Sequence, residues 1–78
     1  MDLPADLIDL QRAADAEHAR LIDLPLGDAY WKQWEVWRGA AETVQAAVTK
    51  HAAAEKLPRA AVEAALKRVV RHPAPADA

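Results

Sequence analysis

The sequence contains no cysteine, phenylalanine, serine or asparagine, and glycine occupies only two of its 78 positions. Without cysteine or serine, these residues provide no disulfide, no thiolate zinc site and no cysteine or serine nucleophile. Two isolated glycines cannot build the glycine-rich loop that cradles phosphate groups. These absences argue against an enzyme. Abundant alanine and few turn-forming residues predict a helical protein.

Long apolar runs and a basic leader are also lacking. No apolar stretch approaches the roughly 20 residues of a membrane span. The start Met1-Asp2 has no basic region of the kind that begins a secretory signal peptide. We therefore expect a cytoplasmic protein without a membrane partner.

All the aromatic residues lie between Tyr30 and Trp37. Residues three and four apart share one face of a helix, so a helix from about Ala29 to Glu55 would have one apolar seam. That seam comprises Tyr30, Trp34, Trp37, Ala41, Val44, Val48 and Ala52. Because Tyr and Trp side chains bury about 150–250 Å² each, we expect the N-terminal half of this helix to dominate the hydrophobic driving force. Asp28 is the expected N-cap.

The rest of the chain predicts two further helices, over residues 2–24 and 58–72. The link at residues 25–28 is short, which favours an antiparallel hairpin between the first and central helices. Pro58 suits the first turn of the third helix. The predicted fold is all-α: a single three-helix domain over residues 1–72 with a long central helix and a short basic C-terminal helix. A disordered tail is expected over residues 73–78.

Two features of the central helix suggest a partner. Trp31 lies about a quarter turn off the seam; it is either a half-covered residue at the core margin or an exposed anchor for another protein. Val36, Ala40 and Ala47 form an apolar line on the other flank, which the third helix or a second copy of the chain must cover. The leading hypothesis is a non-enzymatic protein–protein interaction module that binds a protein partner or self-associates as a homodimer through the central helix, with these four residues as its candidate contacts.

Charge is unevenly distributed along the chain. Residues 1–49 carry four basic and nine acidic side chains, a net charge of −5. Residues 50–78 carry six basic and three acidic side chains, a net charge of +3. A basic C-terminal region makes nucleic acid the alternative class of partner.

Residues 52–69 combine paired small residues, a short turn with Leu57, and Val62 and Leu66 at fixed offsets before a basic run. The segment resembles the helix-turn-helix half of bacterial winged-helix regulators. The resemblance implies DNA contacts from Lys56, Arg59, Lys67, Arg68 and Arg71. The segment departs from that family because Lys56 stands where glycine is common and the outward positions are mostly alanine. The whole alanine-rich chain also resembles small helical proteins of GC-rich actinobacterial or actinophage genomes.

Few side chains form a pattern of catalytic or metal-binding chemistry. His51 and Glu55 are four residues apart, as helical metal ligands often are, but no third ligand has a recognisable spacing. His18 lies on the seam of the first helix, where we expect a histidine at the edge of the core. Glu63 and Lys67 are expected to form an ion pair. No catalytic, cofactor-binding or metal-binding residue is therefore predicted.

Overall fold

The computed structural model describes residues 1–71 as three helices: α1 (Ala5–Ile22), α2 (Asp28–Glu55) and α3 (Arg59–Arg71). This part of the chain contains no strand, so the all-α prediction with a long central helix is confirmed. Residues 72–78 lie outside the described part, and the predicted tail and the predicted last residue of α3 lie there.

The first helix is shorter than the sequence predicts. The predicted start at Asp2 is wrong because Leu3 precedes a proline, and a residue before proline disfavours the helical region. Pro4 itself is extended, with φ −59° and ψ 142°, and acts as the N-cap. Its carbonyl accepts the first backbone N–H groups of the helix, from Leu7 at 3.1 Å and Ile8 at 3.3 Å.

Helix α2 begins at a glycine that the turn requires. Gly27 has φ 153° and ψ −170°, a backbone conformation that side chains with a Cβ rarely adopt. Gly27 is the N-cap, so the expectation that Asp28 would be the cap is wrong. Asp28 is instead the first residue of the helix, where its negative carboxylate interacts favourably with the positive end of the helix dipole.

The turn between α2 and α3 is built on a lysine in the left-handed conformation. Lys56 has φ 54° and ψ 45°, and its N–H donates to the carbonyl of Ala53 at 3.3 Å. The N–H of Leu57 donates to the carbonyl of Ala52 at 2.9 Å. These two bonds form a Schellman motif, which places the Leu57 side chain against the core. Pro58 then accepts the first N–H groups of α3.

The core lies where all three helices meet. Its buried residues are Leu7 and Ala14 from α1, Val44, Val48 and Ala52 from α2, and Val62 and Leu66 from α3. With 13 residues, α3 is about 20 Å long, about half the length of the 28-residue α2. Because α3 turns back from the C-terminal end of α2, it covers only the half of the α1–α2 hairpin that is remote from the link.

The aromatic residues lie beyond the reach of α3. Tyr30, Trp34 and Trp37 are only half-buried, and Trp31 is exposed. None of the four belongs to the buried core cluster, so the aromatic half of α2 lies outside it, and its predicted share of the hydrophobic driving force stays a prediction. At that end of the hairpin Leu21 is buried, apart from the main core cluster.

Candidate partner-binding surfaces

A row of aromatic rings runs along α2 and crosses to α1. Ring centroids lie 5.0 Å apart for Tyr30 and Trp31, 6.3 Å for Trp31 and Trp34, and 6.4 Å for Trp34 and Trp37. The ring of His18 continues the row, 5.2 Å from Trp37. The four α2 side chains meet mainly edge to face, the arrangement that aromatic pairs prefer. We call these five residues the aromatic surface.

The aromatic surface is accessible, and further apolar side chains extend it. Trp31 is 56% exposed, and near the same end of the hairpin Ile22 is 69% and Leu26 79% exposed. Ile22 lies one helical turn after His18 and so on the same side of α1. Exposed large apolar groups that cluster in this way mark contact sites more often than scattered ones do.

Arg38 borders the aromatic surface and is held by two carboxylates. Its guanidinium lies 5.8 Å from the centre of the Trp34 ring, within cation–π range. It bonds Glu35 at 2.9 Å and also pairs with Glu42. The hydrogen bond to Glu35 is the main cause that raises the pKa of Arg38, and the negative charges of Glu35 and Glu42 add to it. Arg38 thus places a guanidinium, which is charged at any physiological pH, beside the Trp34 ring.

A groove continues from the aromatic surface toward α3. Its volume is about 280 Å³, and its lining includes Trp37, His18 and Ala41 together with polar Gln11 and Asp15. Gln11 and Asp15 also line the space beside the C-terminal end of α3. The groove is thus the uncovered continuation of the channel that α3 fills.

The predicted apolar line Val36, Ala40 and Ala47 lies on the other side of the hairpin. Ala47 lines a second, mainly apolar groove of about 320 Å³ with Leu7 and Leu10 of α1, and no α3 residue lines it. Ala40 and Ala47 pack partly against the core, whereas Val36 is 49% exposed. We call this side the open face. The third helix does not cover it, and Trp31 lies on the opposite flank of α2.

The five basic residues of the alternative hypothesis are all exposed, on the turn and on α3. Arg59 bonds Glu63 at 3.0 Å, so the expectation that Glu63 pairs with Lys67 is wrong. Lys67 and Arg71 lie beside Gln11 of α1 at the end of α3. The structure thus separates Arg59, which a carboxylate already partners, from the basic residues at the far end of the helix.

Residues 1–71 contain neither a cluster of metal ligands nor a membrane-spanning helix. No group of three or more metal-ligating side chains lies together in this part of the chain. None of its helices is both long and apolar enough to cross a membrane. His18, which the sequence places at the core edge, is exposed, and its ring is tilted by 55° against the ring of Trp37.

Comparison of the chain with protein-family models, curated proteins and solved structures finds no match. Sequence reasoning missed three members of the aromatic end: His18, Ile22 and Leu26. Ile22 lies off the seam of α1 and Leu26 lies in the link between the helices. These positions could have predicted that both side chains are exposed. Nothing in the sequence indicated that His18 would join the row of rings.

Proposed function

We propose that the protein is a small non-enzymatic protein–protein interaction module that self-associates through α2. The observation that carries the proposal is the incomplete cover of that helix. The seam of its C-terminal half, at Val44, Val48 and Ala52, is buried by α1 and α3, whereas Trp31 and Val36 stay about half exposed on its two flanks. A single helix with exposed apolar groups on both flanks offers two contact surfaces, the aromatic surface and the open face.

The exposed aromatic area supports the role of an interaction module, because it remains available to a protein partner when two copies associate through the open face. If a Trp side chain presents roughly 250 Å², the exposed 56% of Trp31 amounts to roughly 140 Å². Removing that area from water would contribute about 3 kcal/mol at roughly 25 cal/mol per Å². Trp is also the residue type most enriched at energetically dominant interface positions. Trp31 alone can therefore supply a large share of a micromolar affinity.

Light scattering behind size exclusion, from about 5 to about 500 µM, tests the proposal in the range expected for a weak dimer. We expect the mass to rise with concentration toward that of a dimer. Trp31→Ala alters the aromatic surface and Val36→Glu alters the open face. Circular dichroism monitors the folding of both variants. A wild-type mass that stays at that of a monomer throughout would contradict self-association.

DNA association through α3 is the second candidate, favoured by one observation. Residues 52–69 form two helices joined by a short turn, and Lys67, Arg68 and Arg71 are exposed together at the end of the second helix. Their charges would contact phosphate groups, and such contacts weaken as salt rises. Fluorescence anisotropy of a labelled duplex at low salt, with the triple alanine variant as the control, tests this function. Equal anisotropy for wild type and variant would contradict it.

A further inference from the structure

We infer that a second copy of the chain covers the open face, so that two hairpins form an antiparallel four-helix bundle with α1 of each copy against α2 of the other. The inference rests on the self-association proposed above and names the surface that performs it. It is carried by two properties of that face: small apolar side chains along its middle, and one acidic and one basic side chain, Asp6 of α1 and Lys50 of α2, beside the same groove.

Small side chains at the middle of the open face allow close approach. Ala40, Ala47 and Ala54 recur along one flank of α2, and Leu10 of α1 lines the groove beside them. A helix laid over this strip can come within the 8–10 Å that packed helices adopt. The aromatic surface, with its protruding rings, does not offer such a flat strip.

The charges at the two edges of the groove are complementary under a two-fold rotation. Asp6 stands on the α1 edge and Lys50 on the α2 edge, and both line the same groove at the same height along the hairpin. The four ion pairs found in residues 1–71 include neither residue. A two-fold axis parallel to the helices places α1 over α2 of the second copy at an unchanged height. Asp6 of each copy would then face Lys50 of the other.

This arrangement makes every neighbouring pair of helices antiparallel, as in up-and-down four-helix bundles. The 18 residues of α1 set a paired length of about 27 Å, and two helices side by side are about 20 Å wide. Such a face lies at the small end of the interfaces that hold stable complexes. The dimer is therefore expected to be weak, and the aromatic surfaces of both copies remain uncovered at the outside of the bundle.

Charge reversal with light scattering tests the arrangement. Asp6→Lys and Lys50→Glu each create two repulsive pairs per dimer, and we expect each to weaken self-association by at least about tenfold. Mixing the two variants restores both pairs as Lys–Glu and Asp–Lys, so a heterodimer should form at wild-type concentrations. The double variant should likewise dimerise with itself.

The matched control is Asp15→Lys and Lys67→Glu, which reverse an acid and a base that flank one groove on the α3 side. These variants should dimerise like the wild type. Circular dichroism of each single variant shows whether it is folded. If one substitution lowers the stability of the fold, the recovery of a dimer on mixing still shows that the charge pairs determine self-association. If the wild type dimerises and neither Asp6→Lys nor Lys50→Glu weakens dimerisation, the bundle is wrong while self-association stands. A monomeric wild type would overturn both.

Discussion

The two ends of the α1–α2 hairpin differ in what their side chains do. At the end that α3 covers, the buried residues are mostly Val, Ala and Leu, and Val48, Val62 and Leu66 lie out of contact with water. At the other end are the three Trp residues and the Tyr, all of which retain solvent contact. The larger apolar side chains thus lie where the third helix does not reach. Position under a covering helix, and not side-chain size, decides which residues form the core of this protein.

The difference has a geometric cause. Helix α3 has 13 residues and turns back from the C-terminal end of α2, so it reaches only the half of α2 whose seam carries Val and Ala. The Trp side chains instead pack against one another along their own helix, at centroid distances of 6.3 and 6.4 Å. The molecule therefore has a close-packed half that holds the fold and a half that offers apolar area to another surface.

The largest expected effect comes from the covered end. Leu66→Ala removes a buried side chain from the meeting point of the three helices and should lower the free energy of unfolding by about 2–5 kcal/mol. For a domain of this size that loss approaches the whole stability. Urea unfolding followed by circular dichroism measures it. A cost below about 1 kcal/mol would show that the core does not depend on α3.

A smaller effect is expected at the aromatic end. Trp37→Ala removes a half-buried ring that contacts His18 and Trp34, and should lower the free energy of unfolding by about 1–3 kcal/mol. The same urea titration makes the comparison direct. If Trp37→Ala costs more than Leu66→Ala, the aromatic residues belong to the core and the contrast between the two ends fails.

The smallest effects concern the backbone and should raise stability. Lys56→Gly relieves the left-handed conformation at the end of α2 and should add about 1 kcal/mol. Gly39→Ala should add about 0.5–1 kcal/mol, because a Cβ there meets no atom within 4 Å. Gly27→Ala is the control, since its φ of 153° strains any side chain and should lower stability. Thermal unfolding that ranks Gly27→Ala above wild type would contradict the assignment of these turns.

The sequence predicted the number, order and antiparallel arrangement of the helices because apolar periodicity and proline positions report on local structure. It also predicted that Val44, Val48 and Ala52 lie on the inward-facing seam of α2. It did not predict that the seam of α2 divides into a covered and an uncovered half, since periodicity identifies a face and not the extent of its cover. That division depends on the length and direction of α3, which tertiary contacts decide.

The candidate surfaces were predicted only in part. Trp31 and Val36 were identified because they lie off the main seam, and the structure leaves both about half exposed. His18 was assigned to the core edge, whereas in the structure it is exposed and its ring contacts that of Trp37 in the row of rings. Asp6 and Lys50 carry no sequence signal as a pair, because their relation appears only when α1 and α2 lie side by side.

Acrylamide quenching of tryptophan fluorescence is the most direct measurement of whether the aromatic end is surface or core. All three Trp residues belong to the aromatic surface, so the signal reports on that end alone. We predict that the folded protein is quenched substantially, at a rate between those of buried and unfolded Trp. The quenching should stay constant as concentration rises, because a dimer through the open face leaves the rings uncovered. Strong protection in dilute, folded protein would contradict the account and return the aromatic residues to the core.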